Sequence, residues 1–342
     1  MQISQDVSLQ PYNTFGIEAT ARHWVLIRSI EDLQKLLRQP EYASMPKLIL
    51  GGGSNILLTK NFEGIVIKMD IQGISVVEEN EDQVWVKAGG GVNWHALVMY
   101  SIEQGFGGIE NMSLIPGTVG AAPMQNIGAY GVEMKDVFVS LEAVSVATGE
   151  VVTFNHADCE FGYRSSVFKH KQKGKYIITS VTMRLDKHPR INTSYGAIEE
   201  TLARMLADHP DDTPGIREVS QAVISIRQSK LPDPAQIGNA GSFFKNPVIS
   251  RQQYDALRER YEGIPGYPIS EQEVKVPAGW LIEQCGWKGR RQGAIGVHDK
   301  QALVLVNHGG GKGEDLKKLA YQIQESVKHT FDIRIEPEVN ML

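Results

Sequence analysis

Cysteine is almost missing from this chain. The two present, Cys159 and Cys285, lie far apart and form no C-x-x-C unit, so neither a disulfide framework nor a thiolate metal site is expected. The nine histidines are scattered without H-E-x-x-H or similar spacing, and no metal centre is expected from them. Long apolar runs are lacking too. Nothing approaches the roughly 20 residues that cross a bilayer, and Met1 to Asp6 shows no basic stretch followed by an apolar core, so the reading is a cytoplasmic protein with no membrane partner. Nor is there an excess of positive charge. Lys and Arg total 35 against 40 Asp and Glu, a net charge of -5, which lacks the basic face of a nucleic-acid binder. What remains is ordinary: 42% apolar and 22% charged residues over 342 positions, enough for two or three domains with full cores.

Glycine, by contrast, is concentrated in runs. Trp24-Val25-Leu26-Ile27 reads as a strand. Ser29 is a helix N-cap before Ile30, Leu33, Leu36 and Leu37 at helical spacing, and Lys47 to Leu50 reads as a second strand. Gly51-Gly52-Gly53-Ser54-Asn55 follows at once. A second run, Gly89-Gly90-Gly91, separates the strand Val84 to Lys87 from a helical pattern over Trp94 to Gln104. Consecutive glycines after a strand offer N–H groups to a phosphate without side-chain interference. Neither run is G-x-G-x-x-G or a P-loop, so each alone reads as a plain turn. Gly309 to Gly313 also misses the P-loop spacing and reads as the start of a helix carrying Leu316, Leu319, Ile323 and Val327 on one face. From Ile115 to Glu133 small residues dominate, with no charge before Glu133 and no helix or strand period, which suits backbone pressed against a flat or bulky ligand.

The rest alternates in type. Leu141 to Val146 and Val151 to Phe154 about Thr148-Gly149 read as a hairpin, and Tyr176 to Leu185 as a further strand. Lys169, Lys171, Lys173 and Lys175 read as a solvated hairpin tip. Helical patterns cover 216–230, 251–261, 278–285 and 313–330, and Asp332 to Val339 reads as a last strand.

The densest chemistry lies in Gly238-Asn239-Ala240-Gly241-Ser242-Phe243-Phe244-Lys245-Asn246-Pro247. It crowds a hydroxyl, an ammonium and two amides between bendable residues, and alone it serves a tight turn as well as a site. Ser242 lacks the G-x-S-x-G elbow of a displayed nucleophile. A neutral hydroxyl can still give a proton to a strongly basic carbon, which suits a reductase better than a hydrolase.

These segments together resemble the UDP-N-acetylenolpyruvoylglucosamine reductases, flavoenzymes of bacterial peptidoglycan synthesis. The resemblance rests on Asn13 to Gly16, Gly51 to Asn55, Ile115 to Gly120, Gln125 to Gly131, Phe161 to Arg164, Lys230 to Pro234, Gly238 to Pro247, Ala278 to Ile282 and Glu336 to Val339, nearly the whole chain in one order. It implies an α+β fold: a two-lobed FAD-binding domain of the vanillyl-alcohol-oxidase (PCMH) type and a C-terminal α/β substrate-binding domain. The expected division is 1–70, 71–215 joined by a C-terminal strand 332–342, and 216–331. It implies non-covalent FAD held by Gly51, Gly52, Gly53, Ser54, Asn55, Pro116, Gly117, Thr118, Gly120, Ala121, Gln125, Asn126, Gly128, Ala129, Tyr130 and Gly131. NADPH is the implied hydride donor, UDP-N-acetylglucosamine enolpyruvate the substrate, and a monomer the implied state.

Three catalytic residues carry over from the same resemblance. Arg164, with Glu338 protonated or sharing a proton, would stabilise charge on the pyruvyl carboxylate, and Ser242 would protonate C2 after hydride reaches C3. Tyr195, Arg227, Lys230, Asn246, Tyr267 and Lys288 match positions that bind the sugar nucleotide. Tyr195-Gly196 matches the longer form of the family, in which a tyrosine-bearing loop covers the nucleotide. The rival readings are a flavin-dependent sugar or alcohol oxidase or dehydrogenase on the same fold, and a non-catalytic nucleotide-binding module. The second has no use for Arg164, Ser242 and Glu338.

Overall fold

Alternation of buried and accessible side chains makes β2 (Thr20–Ile27) a strand with one face in a core. The computed structural model describes residues 1–207 and 213–342. They divide into two compact units, both discontinuous in sequence: unit 1 is Met1–Val7, Ala21–Gly52 and Phe62–Ser229, and unit 2 is Ser8–Thr20, Gly53–Asn61 and Lys230–Leu342.

In unit 1, β2 belongs with β1 (Ile3–Ser8), β3 (Lys47–Leu50) and β5 (Phe62–Met69) to a sheet of order β1-β2-β5-β3. The strand–helix–strand reading holds, with a difference: β5 lies between β2 and β3, parallel to both. Parallel neighbours require a crossover, here α1 (Ile30–Leu37) and α2 (Pro40–Ala43). Ser29 caps α1, its hydroxyl accepting the Asp32 N–H at 3.1 Å, and Leu33 and Leu36 are fully buried.

The second sheet of unit 1 is antiparallel, in the order β11-β10-β12-β7-β6. Its strands are β6 (Ile74–Glu79), β7 (Gln83–Gly89), β10 (Phe138–Ser145), β11 (Val151–Asn155) and β12 (Tyr176–Asp186). The helix α3 (Trp94–Glu103) joins the same apolar core, to which it gives Trp94, Leu97, Val98 and Ile102. The expected hairpin of β10 and β11 forms. The lysine-rich segment is not a hairpin tip: β12 pairs with β10 and β7, and Phe161 to Ser166 contributes only a Gly162–Ser165 bridge.

Ile115 to Glu133, which shows no period, folds into short 3-10 turns at Val119–Ala121 and Pro123–Gln125. A two-residue hairpin follows, β8 (Gly128–Ala129) against β9 (Val132–Glu133), then α4 (Met134–Val137). Tyr195 is not simply a loop residue. It is the N-cap position of α5 (Gly196–Met205), which packs through Ile198 and Leu202 on Val219 and Val223 of α6 (Ile216–Lys230).

Unit 2 contains the sheet β13-β19-β18-β17: β13 (Gly238–Ser242), β17 (Arg291–Gln292), β18 (Ile295–Val297) and β19 (Val304–Asn307). A smaller sheet joins β14 (Val248–Ser250), β16 (Glu273–Lys275) and β15 (Tyr267–Pro268). Its helices are α7 (Arg251–Arg260), α8 (Ala278–Gln284) and α9 (Gly313–Phe331), and α9 buries Leu316, Leu319, Ile323 and Val327 as their spacing predicts. Asp332 to Val339 does not form the expected strand. Ile333, Ile335 and Val339 are buried in alternation, but among the described residues the segment's ladder contact is a Phe244–Pro337 bridge, and pairing resumes at β20 (Asn340–Met341), parallel to β4 (Ile56–Leu57). Residues 332–342 thus fall in unit 2, and α6 through Ser229 falls in unit 1.

Candidate active site

Unit 1 brings three glycine-bearing segments together. A Cβ on Gly52 would lie 2.8 Å from the Gly117 Cα, and one on Gly120 would lie 2.9 Å from the Gly90 carbonyl oxygen. Contacts of that kind exclude side chains, so Gly52 packs main chain on main chain against Gly117, and Gly120 against Gly90. Val119 and Gly120 donate to the carbonyls of Val92 and Gly90, both at 2.9 Å. Lys68, which sequence reasoning passed over, is half-buried beneath this floor. Its Nζ donates to the Gly51 carbonyl at 2.7 Å, and burial lowers its pKa against an opposing pull from Asp70. The available signal was a lysine inside the otherwise apolar run of a parallel strand.

Beyond that floor the backbone is strained. Asn126, Tyr130 and Arg164 have φ of 46°, 49° and 51°, the left-handed region that non-glycine residues avoid. Arg164 donates from Nη2 to the Gly128 carbonyl at 2.7 Å and from Nη1 to the Asn126 carbonyl at 3.4 Å. The side chain of Asn126 is fully buried. It donates to Glu133 Oε2 at 2.9 Å and to the Gly162 carbonyl at 3.1 Å, and accepts the Lys135 N–H at 2.9 Å.

Tyr130 packs edge-on against Tyr195, ring centroids 5.2 Å apart. Burial raises the Tyr130 pKa, the Arg227 charge lowers it, and Tyr195 raises it further. Arg227 reaches this place from α6, and its Nε, shielded from water, has no acceptor among the described residues. His95, on α3, accepts the Leu114 N–H at Nδ1, 3.1 Å away; burial and then the Arg227 charge lower its pKa, so it stays a neutral ring. Four expected residues, Asn126, Tyr130, Arg164 and Arg227, therefore gather with Tyr195 in unit 1.

Unit 2 assembles a second group. Gly53, at φ 66°, leaves no room for a side chain against the Tyr12 carbonyl, and its own carbonyl accepts the Thr14 N–H at 3.1 Å. Asn13, part of the first motif, is spent on loop structure: its amide donates to the Leu9 and Ile17 carbonyls and accepts from Ile17. Ser242 ends β13 at a register shift against β19, with Gly241 at φ 67°. The buried Asn239 supports this bulge, its Oδ1 accepting the Gly241 N–H at 2.9 Å. The outcome is an accessible Ser242 followed by two buried anchors, Phe243 and Phe244.

Glu338 lies beside them. Its N–H donates to the Phe243 carbonyl at 2.7 Å, Lys245 N–H donates to the Glu336 carbonyl at 2.9 Å, and the Glu338 carbonyl accepts Asn55 Nδ2 at 3.4 Å. Glu338 is thus tied by backbone to the residue after Ser242 and by its carbonyl to the side-chain amide of Asn55, 283 positions away. Asn246 Oδ1 accepts the Ala278 N–H at the start of α8, 2.9 Å away. Lys288 pairs with Glu283 at 2.9 Å, while Tyr267 on β15 and Lys230 at the end of α6 are exposed. These four do not form one contact group within unit 2.

Comparisons with known proteins match parts of both units. Residues 21–155 match an FAD binding domain family, and residues 233–342 match the C-terminal domain of UDP-N-acetylenolpyruvoylglucosamine reductase. The chain is 53% identical to the UDP-N-acetylenolpyruvoylglucosamine reductase of Amoebophilus asiaticus over 342 residues, covering all of both chains. It is 49% identical to that of Flavobacterium johnsoniae, again over all of both, and 50% to that of Chromobacterium violaceum over 99% of this chain and 98% of the relative. In three dimensions it is similar to the reductase of that name from Thermus caldophilus, with a TM-score of 0.70 at 23% identity over 100% of this chain and 99% of the other. The 6-hydroxy-D-nicotine oxidase of Arthrobacter nicotinovorans has a TM-score of 0.54 at 14% identity, over 96% and 85% of the two chains. That oxidase shares the fold alone. With its FAD-binding domain and mixed α+β architecture, the chain belongs to the UDP-N-acetylenolpyruvoylglucosamine reductase family and is an FAD-dependent oxidoreductase.

Proposed function

We propose that this enzyme reduces UDP-N-acetylglucosamine enolpyruvate to UDP-N-acetylmuramate with NADPH as electron source, a cytoplasmic step toward peptidoglycan, and that it acts as a monomer. The observation that carries the reading is the 2.7 Å hydrogen bond from Glu338 N–H to the Phe243 carbonyl. It places a carboxyl-bearing residue one step across from an accessible serine on the family's C-terminal domain.

The residues present fit FAD. The side-chain-free contact of Gly52 with Gly117 and the turn at Gly53 are what a diphosphate cradle requires, and Ser54, Asn55, Pro116, Thr118, Ala121, Gln125, Ala129 and Gly131 belong to the same segments. Bound there, FAD would supply the two-electron redox chemistry that the reduction of the enolpyruvyl double bond by NADPH requires.

The protein's own part is to bind, polarise and protonate. Arg164, a permanent cation already oriented by the Asn126 and Gly128 carbonyls, stabilises the negative charge that grows on the pyruvyl carboxylate. Glu338, protonated or sharing a proton, polarises the same group. The Ser242 hydroxyl then gives its proton to C2, completing addition of H⁻ and H⁺ across the alkene. Arg227, whose Nε has no acceptor among the described residues, takes an anionic oxygen of the nucleotide, and Tyr195, Lys230, Asn246, Tyr267 and Lys288 complete the binding set.

The test is an anaerobic spectrum. Addition of NADPH should bleach the flavin, and only the enolpyruvyl nucleotide should restore its colour. Recolouring by oxygen or a free sugar, with no response to the nucleotide, would overturn the reading.

A further inference from the structure

We propose that Asn126 is a positioning residue for Arg164, setting the guanidinium that polarises the substrate; the inference rests on the catalytic role given to Arg164 above. Asn126 was expected to face the flavin, yet its amide is fully engaged inside the protein. One N–H goes to Glu133 Oε2 at 2.9 Å, the other to the Gly162 carbonyl at 3.1 Å, and the oxygen accepts the Lys135 N–H at 2.9 Å. Each bond reaches a segment that bears on Arg164. Gly162 lies two residues before it. Glu133 sits on β9, across the hairpin from Gly128, whose carbonyl takes Arg164 Nη2 at 2.7 Å. The main-chain carbonyl of Asn126 takes Nη1 at 3.4 Å.

The amide thus ties the backbone that carries Arg164 to the two carbonyls that orient its head group. Strain marks the same place. Asn126, Tyr130 and Arg164 all hold positive φ, and such conformations persist only where the surroundings over-determine them. Burial of Asn126 makes those bonds the over-determining element. Glu133 is itself braced, its side chain paired with Lys135 Nζ at 3.0 Å and its N–H held by Asp136 at 2.8 Å.

Asn126→Gly removes the amide and keeps the left-handed backbone at no steric cost. Asn126→Asp keeps the shape and the acceptor for Lys135 but turns a second carboxylate toward Glu133. In the holoenzyme, reoxidation of NADPH-reduced flavin by the enolpyruvyl nucleotide should slow about 100-fold in both variants, the scale of a misplaced catalytic group, with the flavin absorption bands retained and KM little moved. Amide hydrogen exchange across residues 162–165 should rise. Combined with Arg164→Ala, Asn126→Gly should add no further loss, because both act through one group.

Wild-type reoxidation in both Asn126 variants would overturn the inference, as would a loss in Asn126→Gly that multiplies with that of Arg164→Ala. If Arg164→Ala alone reoxidises at the wild-type rate, the catalytic role of Arg164 fails first and this inference falls with it. A slow Arg164→Ala beside fast Asn126 variants sinks only the positioning role.

Discussion

Arg164 and Arg227 set like charges against each other in unit 1: burial lowers the pKa of Arg227 most, Tyr130 raises it, and the Arg164 charge lowers it by a smaller amount. A protein gathers such charges at a cost to its own stability, and that cost is recovered when an anion arrives.

Arg227→Met tests this directly. Removing the charge should raise the melting temperature of the nucleotide-free enzyme by about 1–3 °C. The same change should weaken the enolpyruvyl nucleotide at least tenfold, the scale of one charge-assisted hydrogen bond. Calorimetry with and without nucleotide measures both, and a variant that loses stability in each state would contradict the account.

Gly52→Ala should weaken FAD. The new methyl would stand 2.8 Å from the Gly117 Cα, and backbone has little freedom to yield. Overpacking of this kind costs on the order of 1–3 kcal/mol, or about 5- to 150-fold in affinity. Fluorescence titration of the apoprotein with FAD gives the number.

Ser242→Ala should lower kcat by about 10² to 10⁴, the range for a lost general acid, with KM little changed. Ser242→Cys should restore part of it. In D₂O the wild type should place deuterium at C2 of the product, and a slow step that shows a solvent isotope effect should be the one that Ser242→Ala impairs. Equal turnover in Ser242→Ala would assign the proton to another donor.

Cys159 supplies a pH test of unit 1. Burial, with a smaller push from Asp158, raises its thiol to about 12 from an ordinary 9.0. A folded pKa above the unfolded one means that this contribution to stability is whole below pH 9 and is lost as pH rises toward 12. Native protein should therefore react with a thiol reagent at no more than one site at pH 8, and at two after denaturation. Prompt reaction of Cys159 in the native enzyme would contradict its burial.

The regular elements were legible because their periods are local. Leu33 and Leu36, or Leu316 to Val327, announce a helix face within four residues of themselves. The place of β5 between β2 and β3 was not, since no residue in either neighbour encodes which strand inserts. Asp332 to Val339 misled for a related reason. It keeps strand-like alternation of burial, but its ladder partner is only Pro337 against Phe244, and proline has no N–H to give. Arg164, Ser242 and Glu338 were visible as a family pattern, yet their supports were not. Nothing around Asn126 or Asn239 in the sequence distinguishes an amide that braces a turn from one that meets a ligand.

The pairing of β20 with β4 carries a consequence for biogenesis. Asn55 and Asn340, 285 positions apart, share a hydrogen bond, and the early segments Ser8–Thr20 and Gly53–Asn61 belong to the unit finished last. At ribosomal rates of about 5–20 residues per second, those segments wait roughly 15–60 s for their partners. Unit 2 therefore closes only after Asn340 and Met341 have been made, and the strand at Ile56–Leu57 spends that interval without its β20 partner.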